Sequence, residues 1–228
     1  MKAELKRFGY EQSPVVVIDE FSGDLCEILA VADALAPYPR LAGNYYPGIR
    51  RIFGPADDSA NAYAIQLCNE AGQFIAGAFD IDSFTLLEAS FSMVTARGLA
   101  LSPAQRAPHF DSPNPKHLAL LHYLHVPTGS GTAFYRQRST GIERVTDDNL
   151  NSFVTTARTD AARLPPNSGY IAGSDDFFEQ IGMVEAIADR LIIYQGSLLH
   201  SGIIPETMKF SDDPRRGRLT ANLFVQGS

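Results

Sequence analysis

Two rhythms of apolar and polar positions divide the 228 residues of this chain. Val15 to Ile18 is a short unbroken apolar run that reads as a strand. Leu25, Ile28, Leu29, Ala32 and Leu35 then recur at helical spacing, with Ser22 placed to cap the helix and Pro37 to stop it. A second helix is expected from Ser59 to Ala71, with Gly72 as its terminator. From Phe84 onward the pieces become strand-like: Phe84 to Val94, Leu118 to Val126, Thr132 to Tyr135, Leu191 to Tyr194, Ser197 to His200 and Leu219 to Val225. A polar insertion interrupts them. In it Asp147 is placed to cap a helix bearing Leu150, Phe153, Val154, Ala157 and Leu164 before Pro165 and Pro166, and Ser174 to cap another bearing Phe177, Ile181 and Val184. The order predicts an α+β chain in which early and inserted helices flank or cover a β-barrel core. No internal repeat or low-complexity segment is present, and the linker-like piece Lys209 to Gly217 is too short and too late to separate domains, so residues 1–228 read as one domain.

Composition narrows the function. A hydrophobic content of 45% is enough for a real core, and a net charge of -7 argues against a nucleic-acid binder, which needs a basic face for phosphates. Cys26 and Cys68 fall in the expected helices without metal spacing, and read as buried small apolar side chains, a disulfide being the lesser alternative. The N-terminus opens no apolar signal region and no apolar run is long enough to span a bilayer, so a cytoplasmic protein without membrane contact is expected.

Chemistry concentrates in His109-Phe110-Asp111 and the distant His200. Residues two positions apart on a strand share a face, so His109 and Asp111 can reach one ion, and a histidine from a neighbouring strand can complete a two-histidine, one-carboxylate set. That donor set with open positions favours non-haem Fe(II), where thiolates would favour zinc and an all-oxygen shell magnesium or calcium. Near the C-terminus, Arg218-Leu219-Thr220 offers a guanidinium fork and a hydroxyl on one strand face, a grip for a carboxylate.

These landmarks, with the Leu121 to His125 strand and Gly129-Ser130-Gly131-Thr132-Ala133-Phe134 between them, occur in the order of the Fe(II)/2-oxoglutarate-dependent dioxygenases. The chain resembles their prolyl 4-hydroxylase-like branch most closely, over roughly residues 105 to 226. Upstream, only the segment Asn44 to Arg50 matches anything, resembling an uncharacterised bacterial family. The resemblance implies a double-stranded β-helix, a jelly-roll or cupin-like core, over residues 84–228, with a helical insertion near 146–188 and residues 1–83 as helical and strand support. It implies Fe(II) on His109, Asp111 and His200, with 2-oxoglutarate and O2 as co-substrates and ascorbate as a reductant for the iron. Arg218 and Thr220 would hold the far carboxylate of 2-oxoglutarate. His122 or Tyr123 would line its pocket, His122 having the position of a pocket tyrosine in the resembled strand. The implied outcome is hydroxylation of an amino-acid, peptide or small-metabolite C–H bond with release of succinate and CO2. Related halogenases lack the carboxylate that Asp111 provides, and no catalytic group beyond the metal ligands is implied.

Each residue has a plainer reading as well. His122 and His125 face opposite ways on one strand, while His117 and His125 lie roughly 26 Å apart at ordinary strand rise, so none of the three reads as a metal ligand. The eighteen residues from His200 to Arg218 exceed the family's usual gap, the polar stretch Glu206 to Pro214 absorbing the excess; Arg216 shares the parity of Arg218 and could exchange roles with it, or contact substrate. Tyr45 and Tyr46 lie in a turn-rich patch that is either a structural corner or a substrate mouth, and Arg136 and Arg138 are either a solvated edge or carboxylate contacts. Two other classes stay open: a non-catalytic cupin-like binding protein, which has no need of an Arg and Thr clamp, and a metal-dependent hydrolase or isomerase on the same barrel.

Overall fold

Strands that must be apolar on both faces explain the arrangement. The computed structural model describes residues 1–40, 45–165 and 168–228. Among the described residues, ten strands and three α-helices follow in the order β1 (Lys2–Phe8), β2 (Ser13–Asp19), α1 (Leu25–Ala34), β3 (Gly48–Ile52), α2 (Asp58–Phe79), β4 (Phe84–Val94), β5 (His117–His125), β6 (Gly131–Gln137), α3 (Leu150–Arg163), β7 (Phe178–Glu185), β8 (Arg190–Gln195), β9 (His200–Ile203) and β10 (Leu219–Gly227). The larger sheet runs β1-β2-β8-β5-β10-β4-β3 and the smaller β7-β6-β9, with every pairing antiparallel. This is the double-stranded β-helix, two facing sheets with helices outside, that the sequence led us to expect.

Alternation along the larger sheet sorts its residues between two cores. Val16, Ile18, Leu118, Leu120, Leu191, Ile193, Leu219, Ala221 and Leu223 face outward onto α1 and α2, packing against Ile28, Ala32, Leu67, Ala71 and Ile75. Val15, Val17, Ala119, Tyr123, Ile192 and Tyr194 face inward and meet Phe134 and Val184 of the smaller sheet. The inserted helix α3 covers the other side of the smaller sheet, where Phe153 packs with Ala133, Tyr135, Phe178 and Leu199. Strands buried on both faces read as continuous apolar runs, which is why Val15 to Ile18 and Leu191 to Tyr194 carry no visible period.

Several element readings change. The cap of α1 is Asp24, whose carboxylate accepts from the Glu27 N–H, while Ser22 gives its hydroxyl to Asp189. Helix α2 does not stop at Gly72; it continues through Ile75, which is buried in the core, to Phe79, where Asp80 takes the left-handed conformation (φ 57°) and closes the helix. Asn149, not Asp147, precedes α3 and accepts from the Thr146 N–H. The residues after Ser174 form strand β7, not a helix, and pair with β6 across a register shift at Phe134/Tyr135. Ser197 to Leu199 precede β9 and lie outside it. Cys26 is exposed and Cys68 buried; both are free thiols. Asn44 and Pro166 lie outside the described residues. Among the described residues no helix is long and apolar enough to cross a membrane.

Candidate metal centre and its cavity

His109 and His200 are held together by their own backbones. Each donates its N–H to the other's carbonyl, at 2.9 and 2.8 Å, forming a reciprocal bridge between the segment before β5 and the start of β9. Asp111 is not on a regular strand; it sits at a bend, with its N–H on the Gly196 carbonyl at 2.7 Å, and Gly196 in turn donates to the carbonyl of His117 at 2.8 Å. Gly196 lacks a side chain where one would collide: a Cβ there would lie 2.4 Å from His117 Nδ1 and 3.2 Å from Asp111 Cβ. Two backbone anchors from different stretches of the chain thus converge three side chains.

The three offer ligand atoms all within 4.8 Å of one another. His200 Nε2 is 3.6 Å from Asp111 Oδ2, and His109 Nε2 is 4.0 Å from Asp111 Oδ1. His200 donates Nδ1–H to the Leu198 carbonyl at 2.8 Å, which fixes its tautomer and leaves Nε2 as a lone-pair donor. Asp111 Oδ2 is buried with no hydrogen-bond partner. Burial, and then the neighbouring His200, hold the His109 imidazole well below its ordinary pKa and so neutral. Burial pushes the Asp111 carboxyl up, against the opposing pull of His200, His117 and Arg50. A neutral His109 imidazole and a carboxylate oxygen without a hydrogen bond are suited to receiving a divalent cation.

The triad opens into a cavity of about 750 Å³ between the sheets, also lined by Tyr45, Tyr46, Phe110, Tyr170, Tyr194, Phe224, Arg50, Arg218, Thr220 and Asn222. Its size fits a small-molecule site. Tyr194 sets its ring edge against His200, with centroids 4.8 Å apart. Arg218, 5% exposed, has Nε buried without a hydrogen-bond partner, and among the described residues no carboxylate forms an ion pair with it. Thr220, on the same wall, gives its hydroxyl proton to Asn222 Oδ1 at 2.8 Å, so it would have to turn to serve a ligand beside Arg218. The Tyr123 ring lies 5.9 Å from the Arg218 guanidinium, and its hydroxyl bonds Thr132, a cavity residue, at 2.7 Å.

The other candidate site residues fall elsewhere. His122 does not face the cavity: it lies on the helix side of β5, fully buried, hydrogen-bonded to Asp189 through Nε2 (2.9 Å) and to the Tyr63 hydroxyl through Nδ1 (2.8 Å). Arg136 pairs with Glu143 and Glu179 beneath Tyr10, Arg138 reaches Glu179 and the Asp175 carbonyl, and Arg216 is exposed; the cavity lining includes none of the three. Tyr45 and Tyr46 do line it, Tyr45 with its ring 5.5 Å from that of His109 and its hydroxyl on the Ala104 carbonyl. Arg50, which belongs to the same turn-rich aromatic and basic patch as Tyr45 and Tyr46, also lines the cavity, as do Glu88, His117 and Asn222, which the sequence does not single out for it. Strand parity is the signal that could find them, but the segment holding β3 reads as a turn.

Solved structures with this architecture include the non-haem α-ketoglutarate-dependent epimerase SnoN of nogalamycin biosynthesis, 14% identical at a TM-score of 0.55, covering 96% of this chain and 79% of that one. HygX from Streptomyces hygroscopicus, with iron bound, is 10% identical at 0.54 over 96% of this chain and 84% of its own. AviO1 from Streptomyces viridochromogenes Tue57 is 13% identical at 0.53 over 97% and 90%. At such identities the likeness is one of fold. No curated protein matches the chain. A family model does match, over residues 1–225, and the chain therefore belongs to the family of unknown function DUF6445.

Proposed function

We propose that this protein is an Fe(II)/2-oxoglutarate-dependent oxygenase acting on a C–H bond of an amino acid, peptide or small metabolite. The observation that carries the reading is Arg218: a buried guanidinium with an unpartnered Nε, in the same cavity as a two-histidine, one-carboxylate cluster. An unpaired buried cation is costly to maintain, and an anionic ligand with a planar carboxylate relieves it. The neighbours of the same fold supply a precedent, since SnoN is described in complex with Fe3+ and α-ketoglutarate. A hydrolase or isomerase on this barrel would have no use for such a carboxylate clamp.

In this reading His109, Asp111 and His200 hold the metal, with the Leu198 carbonyl orienting His200. Arg218 receives the distal carboxylate of 2-oxoglutarate, aided by Thr220, while Thr132 lines the cavity and is backed by the Tyr123 hydroxyl behind it. The bound metal would supply activation of O2 coupled to decarboxylation of 2-oxoglutarate to succinate and CO2. The aromatic lining from Tyr45, Phe110, Tyr170, Tyr194 and Phe224 keeps water from the reacting centre.

The test is anaerobic addition of Fe(II) and 2-oxoglutarate to the metal-free protein, read by the visible charge-transfer band of the chelate. The wild type should show the band, Asp111→Ala should lose it, and Arg218→Met should need at least about tenfold more 2-oxoglutarate, as expected for a lost charged hydrogen-bond pair. Iron binding without a band in the wild type would sink the proposal.

A further inference from the structure

The cavity has a second charged wall that neither the triad nor Arg218 uses. Arg50 projects from the inner face of β3, the edge strand of the larger sheet, with Ser92 of β4 as its register partner; Ser90 and Glu88 follow on the same face of β4. The two serines are small and fully buried, and their size leaves a trough in which the Arg50 side chain lies. Its Nε donates to Ser92 Oγ at 3.4 Å, and its Nη2 donates to Ser90 Oγ at 2.9 Å and to Glu88 Oε1. Arg50 Nη1 and Glu88 Oε2 have no partner among the described residues. Asn222, opposite Ser90 on β10, uses its Oδ1 for Thr220, and its side-chain amide N–H groups have no partner among the described residues.

Placement gives this pair its meaning. Cross-strand charge pairs ordinarily occupy the solvent face, where each is worth little. This one is on the concave face, its side chains 19% and 32% exposed, among Leu87, Leu121 and Phe224. Charges in such a setting are expensive unless further partners complete them. Arg50 and Glu88 line the same cavity as His109, Asp111 and His200, so the pair shares its space with the candidate metal ligands.

We infer that Arg50 and Glu88 form the head-group subsite of the substrate, and that the substrate is a free α-amino acid with an apolar side chain. Its carboxylate takes Arg50 Nη1 and the Asn222 amide, and its ammonium takes Glu88 Oε2. The assignment rests on the oxygenase reading above. A zwitterion fills both open positions and adds no net charge; a simple acid would set a second anion against Glu88, and an amine would leave Arg50 unanswered. The more open Arg50 thus serves the substrate, and the buried Arg218 the co-substrate.

Isothermal titration of the protein loaded anaerobically with Fe(II) and 2-oxoglutarate tests this, using L-leucine, L-isoleucine, L-phenylalanine and L-proline, each beside its desamino acid and its decarboxylated amine. At least one amino acid should bind, with both analogues about tenfold or more weaker. Arg50→Gln should lose that binding while the charge-transfer band persists, and Glu88→Gln should weaken the amino acid more than its desamino analogue. If Arg50→Gln does not fold, Arg50→Lys carries the test and should bind weakly. Wild-type protein that shows the band but binds none of the four, or binds the analogues equally well, overturns the subsite. Absence of the band in the wild type is a separate failure, seen before any amino acid is added, and removes the oxygenase reading and the subsite with it.

Discussion

At the scale of single residues, the candidate metal centre depends on a position that carries no chemistry. Gly196 accepts the Asp111 N–H and leaves room for the His117 ring, so a methyl group there must displace one or both. If the triad holds Fe(II), Gly196→Ala is expected to keep the far-UV circular dichroism of the wild type while weakening Fe(II) binding about 10- to 100-fold, the usual effect of losing a group that orients a ligand. Unchanged affinity would mean that the His117 side absorbs the whole displacement. Sequence alone names the three candidate ligands and Arg218 because their residue types and order are informative in themselves. It cannot choose between His122 and Tyr123: β5 is buried on both faces, so no polar alternation marks which residue looks inward. Only the register with β8 and β10 separates them, sending His122 to Asp189 and Tyr63 and Tyr123 to the inter-sheet core. Arg50 is legible only as part of a turn-rich patch, and its place on a strand is hidden for a related reason. Its strand is short and follows a turn-rich segment, so nothing local shows that it joins a sheet.

At the scale of elements, α2 gives a direct measure of how packing overrides local propensity. Gly72 and Gly77 both lie inside the helix, and the chain tolerates them because Leu67, Ala71 and Ile75 anchor one face in the core. A Cβ at Gly77 would meet nothing within 4 Å, so Gly77→Ala should raise stability by about 0.5–1 kcal/mol, seen as a higher urea midpoint with an unchanged slope. A lower midpoint would contradict the helical assignment at that turn. Strand β4 is legible to its ends because its composition changes sharply there. Strand β7 is not, since the register shift opposite Phe134/Tyr135 breaks its alternation and leaves Phe177, Ile181 and Val184 at spacings a helix also produces. The junction of β5, β8 and the approach to α1 is made by Asp189, which accepts from His122, from the Ser22 hydroxyl at 2.6 Å and from the Ser22 N–H at 3.0 Å. Burial pushes this carboxyl up, but those hydrogen bonds more than reverse it and hold its pKa well below the ordinary value. A depressed folded-state pKa stabilises above the unfolded value of about 3.9, and the contribution is lost as pH falls through the folded value. Asp189→Asn should therefore cost about 1.5–3 kcal/mol at neutral pH, with the loss of the Asp189 contribution narrowing the gap from wild type below about pH 4. Urea titrations across that range check it, and a gap that already closes near neutrality would assign the effect elsewhere.

At the scale of the whole molecule, the order of strands and the two separate cores show why a sequence pattern can indicate a barrel without giving its seams. Apolar runs reveal which segments are covered; which sheet covers them is settled by long-range pairing such as β2 with β8 and β10 with both β4 and β5. If the cavity holds Fe(II) and 2-oxoglutarate, they bind only the closed barrel, and saturation at about a hundredfold over the dissociation constant should stabilise it by about 2.7 kcal/mol. For a chain of this size that corresponds to a thermal midpoint roughly 5–10 °C higher, with no shift expected for Asp111→Ala. The reciprocal backbone bridge of His109 and His200 has one more consequence. It ties together points roughly ninety residues apart, a contact whose loop-closure entropy must be met before it forms. The metal would then act as a late rivet rather than a template: it finds its ligands only after the chain has closed, and slows their parting afterwards. Amide exchange at His109 and His200 should accordingly report the opening of that seam, slowing when Fe(II) is added while exchange at the centre of β8 stays the same.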